Sequence, residues 1–181
     1  YVLKDDKSYG SVDDEEADYL ISKIKGDGII DEVEQSLLLK IIEKATGTCD
    51  KFQDFVLESF RNLIIEDGVI DSKEVNIIKA IVYGGGGASG QKVDKKEAEW
   101  LFELNDAVSG KANHESWKTL MVEAITKYLL EDDLSPNNVD DEEAEWLVSK
   151  IMKDGNLDDV EQAIVANIKA KATKISQKFT L

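Results

Sequence analysis

The chain has 181 residues, of which 42% are hydrophobic, so it is long enough and apolar enough to form a folded core. Acidic residues outnumber basic ones by 38 to 22, and the formal net charge of −16 disfavours binding to the phosphate backbone of nucleic acids. No apolar run approaches ~18 residues, which excludes a transmembrane helix. The single cysteine, Cys49, excludes an intrachain disulfide and a cysteine-based zinc site.

Apolar residues recur at helical spacing along most of the chain, as in the stripe of Ala17, Leu20 and Ile24. The alternation typical of strands is almost absent, and Pro136 is the only proline. We therefore predict an all-α helical bundle of about eight helices. In chain order, the predicted helices span residues 13–25, 31–46, 50–66, 71–82, 94–108, 114–131, 140–153 and 158–174. The glycine-rich stretch 83–91 predicts a surface loop.

Two segments of the sequence occur twice without a gap. Residues 12–34 align with 139–161, and residues 52–67 align with 117–132. The alignment predicts a repeated three-helix unit, whose third copy lacks its third helix. The predicted domain map is an N-terminal extension at 1–12, repeated units at 13–69, 70–138 and 139–174, and a C-terminal tail at 175–181.

Three turns between predicted helices share the pattern Asp-Gly-x-[Ile/Leu]-Asp-x-x-Glu, at residues 27–34, 67–74 and 154–161. Their Asp-x-x-Glu half is typical of a capping box. In this motif, aspartate accepts hydrogen bonds from the first helical N–H groups, and glutamate accepts one from the N–H of the aspartate. The same pair occurs outside these turns at Asp13/Glu16, Asp94/Glu97 and Asp140/Glu143. Helix capping alone explains all six pairs.

The alternative is a cation site, because the three turns match the second half of an EF-hand loop. Aspartate takes the fifth position of that loop, glycine the sixth, and glutamate the twelfth, which is the bidentate calcium ligand. The first half is missing, since Lys23, Leu63 and Lys150 stand at the first position and cannot ligate calcium. The candidate ligands are Asp27, Asp31, Glu34, Asp67, Asp71, Glu74, Asp154, Asp158 and Glu161. Their hard oxygen donors favour calcium, followed by magnesium, over zinc or copper.

If successive helices run antiparallel, the three Asp-Gly turns and the loop at 109–113 lie at the same end of the bundle. Carboxylates concentrated there repel one another unless a cation neutralises them, which favours the cation site. No catalytic constellation accompanies them, because His114, the only histidine, has no nucleophile or acid partner in the sequence pattern. We therefore expect a non-enzymatic protein.

Helical hairpins joined by these turns, in an acidic all-α chain, resemble the tellurite-resistance TerB-like family. The resemblance extends from about Val12 to Lys174. The residues that carry it are Asp27-Gly28, Asp67-Gly68 and Asp154-Gly155, with Glu34, Glu74 and Glu161. It implies paired helical hairpins, metal binding through the acidic turn residues, and association with stress-response complexes near the membrane. The glycine-rich stretch and the partial third unit depart from a simple single domain.

The sequence leaves two functional hypotheses. The first is a module that binds divalent cations, with calcium favoured, and thereby joins neighbouring helix ends. The second is a protein-interaction scaffold, in which the acidic turns are only caps and an apolar groove near Trp100 or Trp146 receives a protein partner. We expect a cytoplasmic protein, with peripheral membrane association left open. The start at Tyr1 indicates a processed or trimmed chain, so export is also left open.

Overall fold

The structure, a computed structural model, describes residues 10–24, 30–84, 92–132, 135–153 and 155–181. These residues form eight α-helices, which confirms the predicted all-α class and the predicted number of helices. The helices are α1 (Asp14–Ile24), α2 (Glu32–Lys44), α3 (Asp50–Ile64), α4 (Ser72–Gly84), α5 (Lys95–Val108), α6 (Glu115–Leu130), α7 (Asp141–Ile151) and α8 (Asp159–Lys171). Within these ranges, no helix combines the length and the apolar character needed to cross a membrane. Of the predicted glycine-rich loop, Tyr83 and Gly84 end α4, and the other residues lie outside the described ranges.

Two helical hairpins are each closed by a short parallel bridge, which the sequence pattern did not predict. The bridges pair β1 (Ser11–Val12) with β2 (Gly47–Thr48) around the hairpin α1–α2, and β3 (Asn138–Val139) with β4 (Lys174–Ile175) around the hairpin α7–α8. Further backbone bonds extend each bridge, from Cys49 N–H to the carbonyl of Val12 and from Ser176 N–H to the carbonyl of Val139, both at 2.9 Å. Each hairpin is therefore fastened where the chain enters and leaves it.

An equivalent ion pair also lies beside each of the two hairpins. Lys51 Nζ lies 2.9 Å from Asp18 Oδ1 beside the first hairpin, and Lys178 Nζ lies 2.6 Å from Glu145 Oε1 beside the second. The partners occupy matching positions at the offset of the sequence repeat. Both pairs are exposed to solvent, so each contributes little to stability. Their recurrence shows that segments that repeat in sequence also repeat in local structure.

The described residues divide into two compact units. The first contains α1, α2 and α3 as far as Asp67, together with α4 from Lys73 onward. The second contains Gly68–Ser72 and the described residues from Lys92 to Leu181. The largest fully buried side chains include Leu38, Phe52, Phe60, Ile64 and Ile78 in the first unit, and Leu101, Leu104, Trp117, Met121, Ile125 and Leu129 in the second. In the second unit α6 packs along α8 and against α5, and in the first α1 packs against α3.

Four predicted helices, at 31–46, 50–66, 140–153 and 158–174, extend at least two residues too far at their C-terminal ends, and two of them lead into a strand. The prediction 31–46 includes residues beyond the end of α2, and the prediction 158–174 includes residues beyond the end of α8. Ala45 and Ala172, the residues that follow these helices, adopt extended backbone with ψ of 138° and 134°. The helices end there because the chain turns into β2 and β4, which are fixed by pairing with strands distant in sequence.

Gly68, in the second Asp-Gly turn, adopts a left-handed φ of 78°, and a methyl group added at its Cα would meet no atom within 4 Å. Backbone geometry rather than space therefore requires glycine at this position. We predict that Gly68→Ala lowers the free energy of unfolding by ~1–2 kcal/mol, measured by urea denaturation. Gly47→Ala is the control, because its added methyl would lie at an ordinary 3.9 Å from Ser11 Cβ. Equal losses in the two variants would contradict the prediction.

Candidate functional site at the acidic turns

The acidic turn before α2 forms a capping box. Asp31 Oδ1 accepts hydrogen bonds from the N–H groups of Val33 at 2.8 Å and Glu34 at 2.9 Å. The N–H of Asp31 in turn donates to Glu34 Oε2 at 3.0 Å. Asp31 is exposed, and no hydrogen bond from the described part of the chain reaches its Oδ2. One carboxylate oxygen thus stabilises the helix start, and the other remains available to a ligand or to water.

The acidic turn before α8 uses both oxygens of its aspartate. Asp158 Oδ1 accepts from the N–H groups of Val160 and Glu161 at 2.9 Å and 2.8 Å, while Glu161 Oε2 accepts from the N–H of Asp158 at 2.8 Å. Asp158 Oδ2 accepts from Asn105 Nδ2 at 2.9 Å and from Ser109 Oγ at 2.8 Å. The cap of α8 is therefore also the point at which α8 binds the C-terminal part of α5.

This cap connects to the core through Asn105, which is buried. Asn105 Oδ1 accepts a hydrogen bond from the indole N–H of Trp117 at 3.2 Å, while its amide group donates to Asp158. An open cavity of about 340 Å³ borders the cap, and its lining includes the ion pair between Lys153 Nζ and Asp106 Oδ2, at 2.6 Å. A buried polar group is costly unless it is paired, so Asn105 fixes the relative positions of three helices.

The second Asp-Gly turn is held by the loop between α5 and α6. The N–H of Ile70 donates to Asn113 Oδ1 at 2.9 Å, and the carbonyl of Ile70 accepts from the N–H of His114 at 2.8 Å. Ser109, at the start of the same loop, binds Asp158. Within the second unit, this loop therefore contacts both the second and the third acidic turns, as the antiparallel arrangement predicts.

The predicted cation ligands are only partly brought together. Asp31 meets Glu34 and Asp158 meets Glu161 in capping boxes, while Asp67 lies in the turn after α3, Asp71 precedes α4, and Glu74 is in the first turn of α4. Asp27 and Asp154 lie outside the described residues. Across the ranges that the structure describes, no three side chains of Asp, Glu, His or Cys converge in a way that could hold a metal ion. The cation site stays a prediction.

Capping also accounts for the other Asp-x-x-Glu pairs for which both bonds are present. Capping boxes precede α5 at Asp94/Glu97 and α7 at Asp140/Glu143, and Asp13 and Glu16 exchange the same two bonds at the start of α1. His114 is the N-cap of α6, where its Nδ1 accepts from the N–H of Ser116 at 3.3 Å. The side chain of His114 thus has a structural partner.

The sequence did not single out the contacts of Trp146 on α7. Its ring packs edge-on against Tyr128 of α6 and Phe102 of α5, with centroid distances of 4.8 Å and 5.8 Å. Its indole N–H donates to Glu99 Oε1 at 3.3 Å, and Lys150 Nζ lies 3.3 Å from the same oxygen. Burial raises the pKa of Glu99, but the hydrogen bond from the indole and the charge of Lys150 together hold that pKa below its usual value.

Asn105 and Ser109 were also missed, although the sequence carries a signal for the first. Asn105 lies in the stripe that contains Leu101, Leu104 and Val108, and an amide within an apolar stripe indicates a buried hydrogen-bond partner. No comparable signal exists for Ser109, because a serine after a helix is common on protein surfaces.

Glu143, in the first turn of α7, has a strongly raised pKa. Burial raises the pKa of Glu143 to about 7, and the nearby charges of Asp140 and Asp132 add to the rise. The hydroxyl of Ser135 lies 3.1 Å from Asp132 Oδ2 and 3.4 Å from Glu143 Oε2. One hydroxyl therefore serves two carboxyl groups, and a proton on Glu143 relieves their repulsion near neutral pH.

In comparisons with known proteins, no family model, no curated protein and no solved structure matches the chain. The resemblance to the TerB-like family therefore stays a prediction.

Because the folded-state pKa of Glu143 is raised from 4.5 to about 7, its protonation stabilises the folded chain; this contribution is complete below pH 4.5 and is lost as the pH rises through about 7. The side chain in Glu143→Gln stays neutral at every pH. We therefore predict that, between about pH 5 and 8, the free energy of unfolding falls by ~1 kcal/mol more in wild type than in this variant. This figure is smaller than the full pKa shift implies because the side chain is partly exposed to solvent. Urea denaturation at a series of pH values measures the difference. Glu142→Gln, at an exposed neighbouring position, is the control and should follow wild type.

Proposed function

We propose that the chain is a non-enzymatic, cytoplasmic interaction scaffold, in which the helical hairpins are the binding elements and the acidic turns are helix caps. The reciprocal caps support this proposal, because Asp31, Asp140 and Asp158 each bind the N–H groups of a helix start. The net charge of −16 favours protein or cation partners over nucleic acids. A role in stress response follows from the TerB-like resemblance alone.

The hairpin α7–α8 illustrates how such a hairpin binds a pair of helices. α8 packs along α6, where Asn167 Nδ2 donates to Thr126 Oγ1 at 2.7 Å, and Trp146 of α7 packs on both α5 and α6. Val160 and Ile164 of α8 are only 6% and 0% exposed. Burial of apolar surface of this kind is the main driving force for the association of helices.

The observation that carries the proposal is that the hairpin α1–α2 exposes the matching positions. Val33 and Leu37 align with Val160 and Ile164 but are 76% and 45% exposed, and Tyr19, which aligns with Trp146, is 59% exposed. We call the exposed side of α2 that carries Val33 and Leu37, one helical turn apart, the outer face of the first hairpin. Apolar side chains that are buried in one hairpin and exposed in its repeat support the presence of a binding surface there.

Affinity capture with the full-length chain tests the proposal. Immobilised wild type should retain a defined set of proteins from an extract, and Leu37→Lys should lose them, because a lysine cannot enter an apolar interface without cost. Met152→Lys is the matched control, since Met152 is a similarly exposed apolar residue, at 43%, outside the outer face. Equal retention by wild type and Leu37→Lys, or equal loss in both variants, would contradict the scaffold function.

A second candidate function is the binding of a divalent cation, with calcium favoured over magnesium, at the turn that contains Asp31. The available Oδ2 of Asp31 supports it, because a carboxylate oxygen that does not cap the helix can bind calcium without loss of the cap. At Asp158 the corresponding oxygen already accepts two hydrogen bonds, which a cation would have to displace. The first turn is therefore the more favourable of these two.

Thermal melts in EDTA, calcium and magnesium at equal ionic strength test this candidate. A site filled to about 100 times its dissociation constant adds ~2.7 kcal/mol, which corresponds to roughly 5–10 °C in the melting temperature. Asp31→Ala should abolish that shift, whereas Asp94→Ala, which removes a cap outside an Asp-Gly turn, should keep it. Each variant should also lose ~1 kcal/mol without cation. Coincident melts with and without calcium would leave the turn as a cap only.

A further inference from the structure

We propose that the outer face of the first hairpin binds the same face of a second copy of the chain, with α2 of the two copies antiparallel about a twofold axis. This inference rests on the proposed scaffold function and assigns the partner of that surface. Twofold pairing is the commonest symmetry of protein self-association, and it requires a surface that is complementary to itself. The sequence and exposure of α2 meet this requirement in two independent ways.

The apolar part of the surface is self-complementary along α2. Val33 and Leu37 are one helical turn apart, and Lys40 and Lys44 continue the same stripe toward the end of the helix. In an antiparallel pair centred on Ser36, the two Leu37 side chains meet near the axis. Val33 of each copy then packs against the apolar stem of Lys40 of the other copy, while the ammonium group lies at the solvent-exposed edge of the contact.

The charges beside this stripe are self-complementary as well. Glu32, Ser36 and Lys40 form a row of exposed residues at successive turns of α2. An antiparallel pair centred on Ser36 places Glu32 of each copy at the level of Lys40 of the other, so that two equivalent ion pairs form. Glu32 and Lys40 are two turns apart, so they cannot pair with each other within one helix. A parallel pair would instead place like charges opposite each other.

The second hairpin indicates that this surface is suited to a helical partner. The positions of Val160 and Ile164 match the apolar stripe, and both are buried in the unit where α8 packs along α6. A helix of a second copy supplies the same kind of apolar ridge to α2. A contact limited to one helix face is smaller than the ~1,600 Å² typical of stable complexes, and the net charge of −16 opposes it, so we expect a dissociation constant between about 10 μM and 1 mM.

Sedimentation equilibrium of the purified full-length chain, from about 10 μM to 1 mM at about 0.15 M salt, tests the inference. Wild type should pass from monomer to dimer, and Leu37→Lys should weaken dimerisation at least ~10-fold. Because this change lowers the net negative charge of each copy, greater long-range repulsion between copies cannot explain a loss. Met152→Lys makes the same chemical change elsewhere and should dimerise like wild type.

A charge exchange tests the twofold geometry. Glu32→Lys and Lys40→Glu should each weaken dimerisation several-fold, and the double variant, in which the two charges are exchanged, should restore it. A monomeric wild type at 1 mM, equal effects of Leu37→Lys and Met152→Lys, or no restoration by the double variant would each overturn the inference. If wild type is monomeric while capture from extract still depends on Leu37, self-pairing fails and the scaffold function stands. If capture also fails, both are overturned.

Discussion

The unpaired N–H groups at the start of a helix are the constraint on which this structure depends. The helices have 11 to 16 residues, and isolated helices of this length are only marginally stable in water. Each therefore depends on hydrogen bonds that satisfy the free backbone groups at its ends. Five of them begin with an aspartate and a glutamate that exchange hydrogen bonds with the backbone. These caps fix the first residue of each helix and therefore the direction in which its apolar stripe faces. They also place negative charge at the positive end of the helix dipole, where the charge is stabilised. This placement matters in a chain whose net charge is −16.

The same cap can serve a helix alone or join it to a neighbour. At Asp31 the second carboxylate oxygen accepts no hydrogen bond from the described residues, whereas at Asp158 it accepts hydrogen bonds from Asn105 and Ser109. The two motifs share the same pattern and the same capping residues, so the difference comes from the elements around them. The surroundings also give the two caps different roles. The half-buried cap at Asp158 holds α5, α6 and α8 together, and the exposed cap at Asp31 leaves a carboxylate that a cation or a partner can reach.

The features of the fold that were predicted correctly depend on residues close together in the chain, whereas the features that were missed depend on residues far apart in the chain. Helical stripes and Asp-x-x-Glu caps involve residues a few positions apart. The structure contains the eight predicted helices, and the predicted capping boxes are present before α2 and α8. The bridges β1–β2 and β3–β4 join residues on opposite sides of a whole hairpin, and a two-residue strand leaves no pattern. For the same reason the ends of α2 and α8 were placed too late. Neither the exposure of Val33 and Leu37 nor the burial of their counterparts can be inferred from the stripes themselves, because both depend on which helix lies opposite.

The parallel bridges have a consequence for how such a chain can change over evolution. Ser11 lies beside Gly47, and Asn138 lies beside Lys174, so the chain enters and leaves each hairpin at one place and in one direction. A complete hairpin can therefore be inserted or removed with little change in the path of the flanking segments. A gene duplication whose borders fall at these bridges adds a hairpin with its own caps and fastening already present. The two hairpins of this chain, alike in sequence, in bridge and in ion pair, have the form that such a duplication leaves.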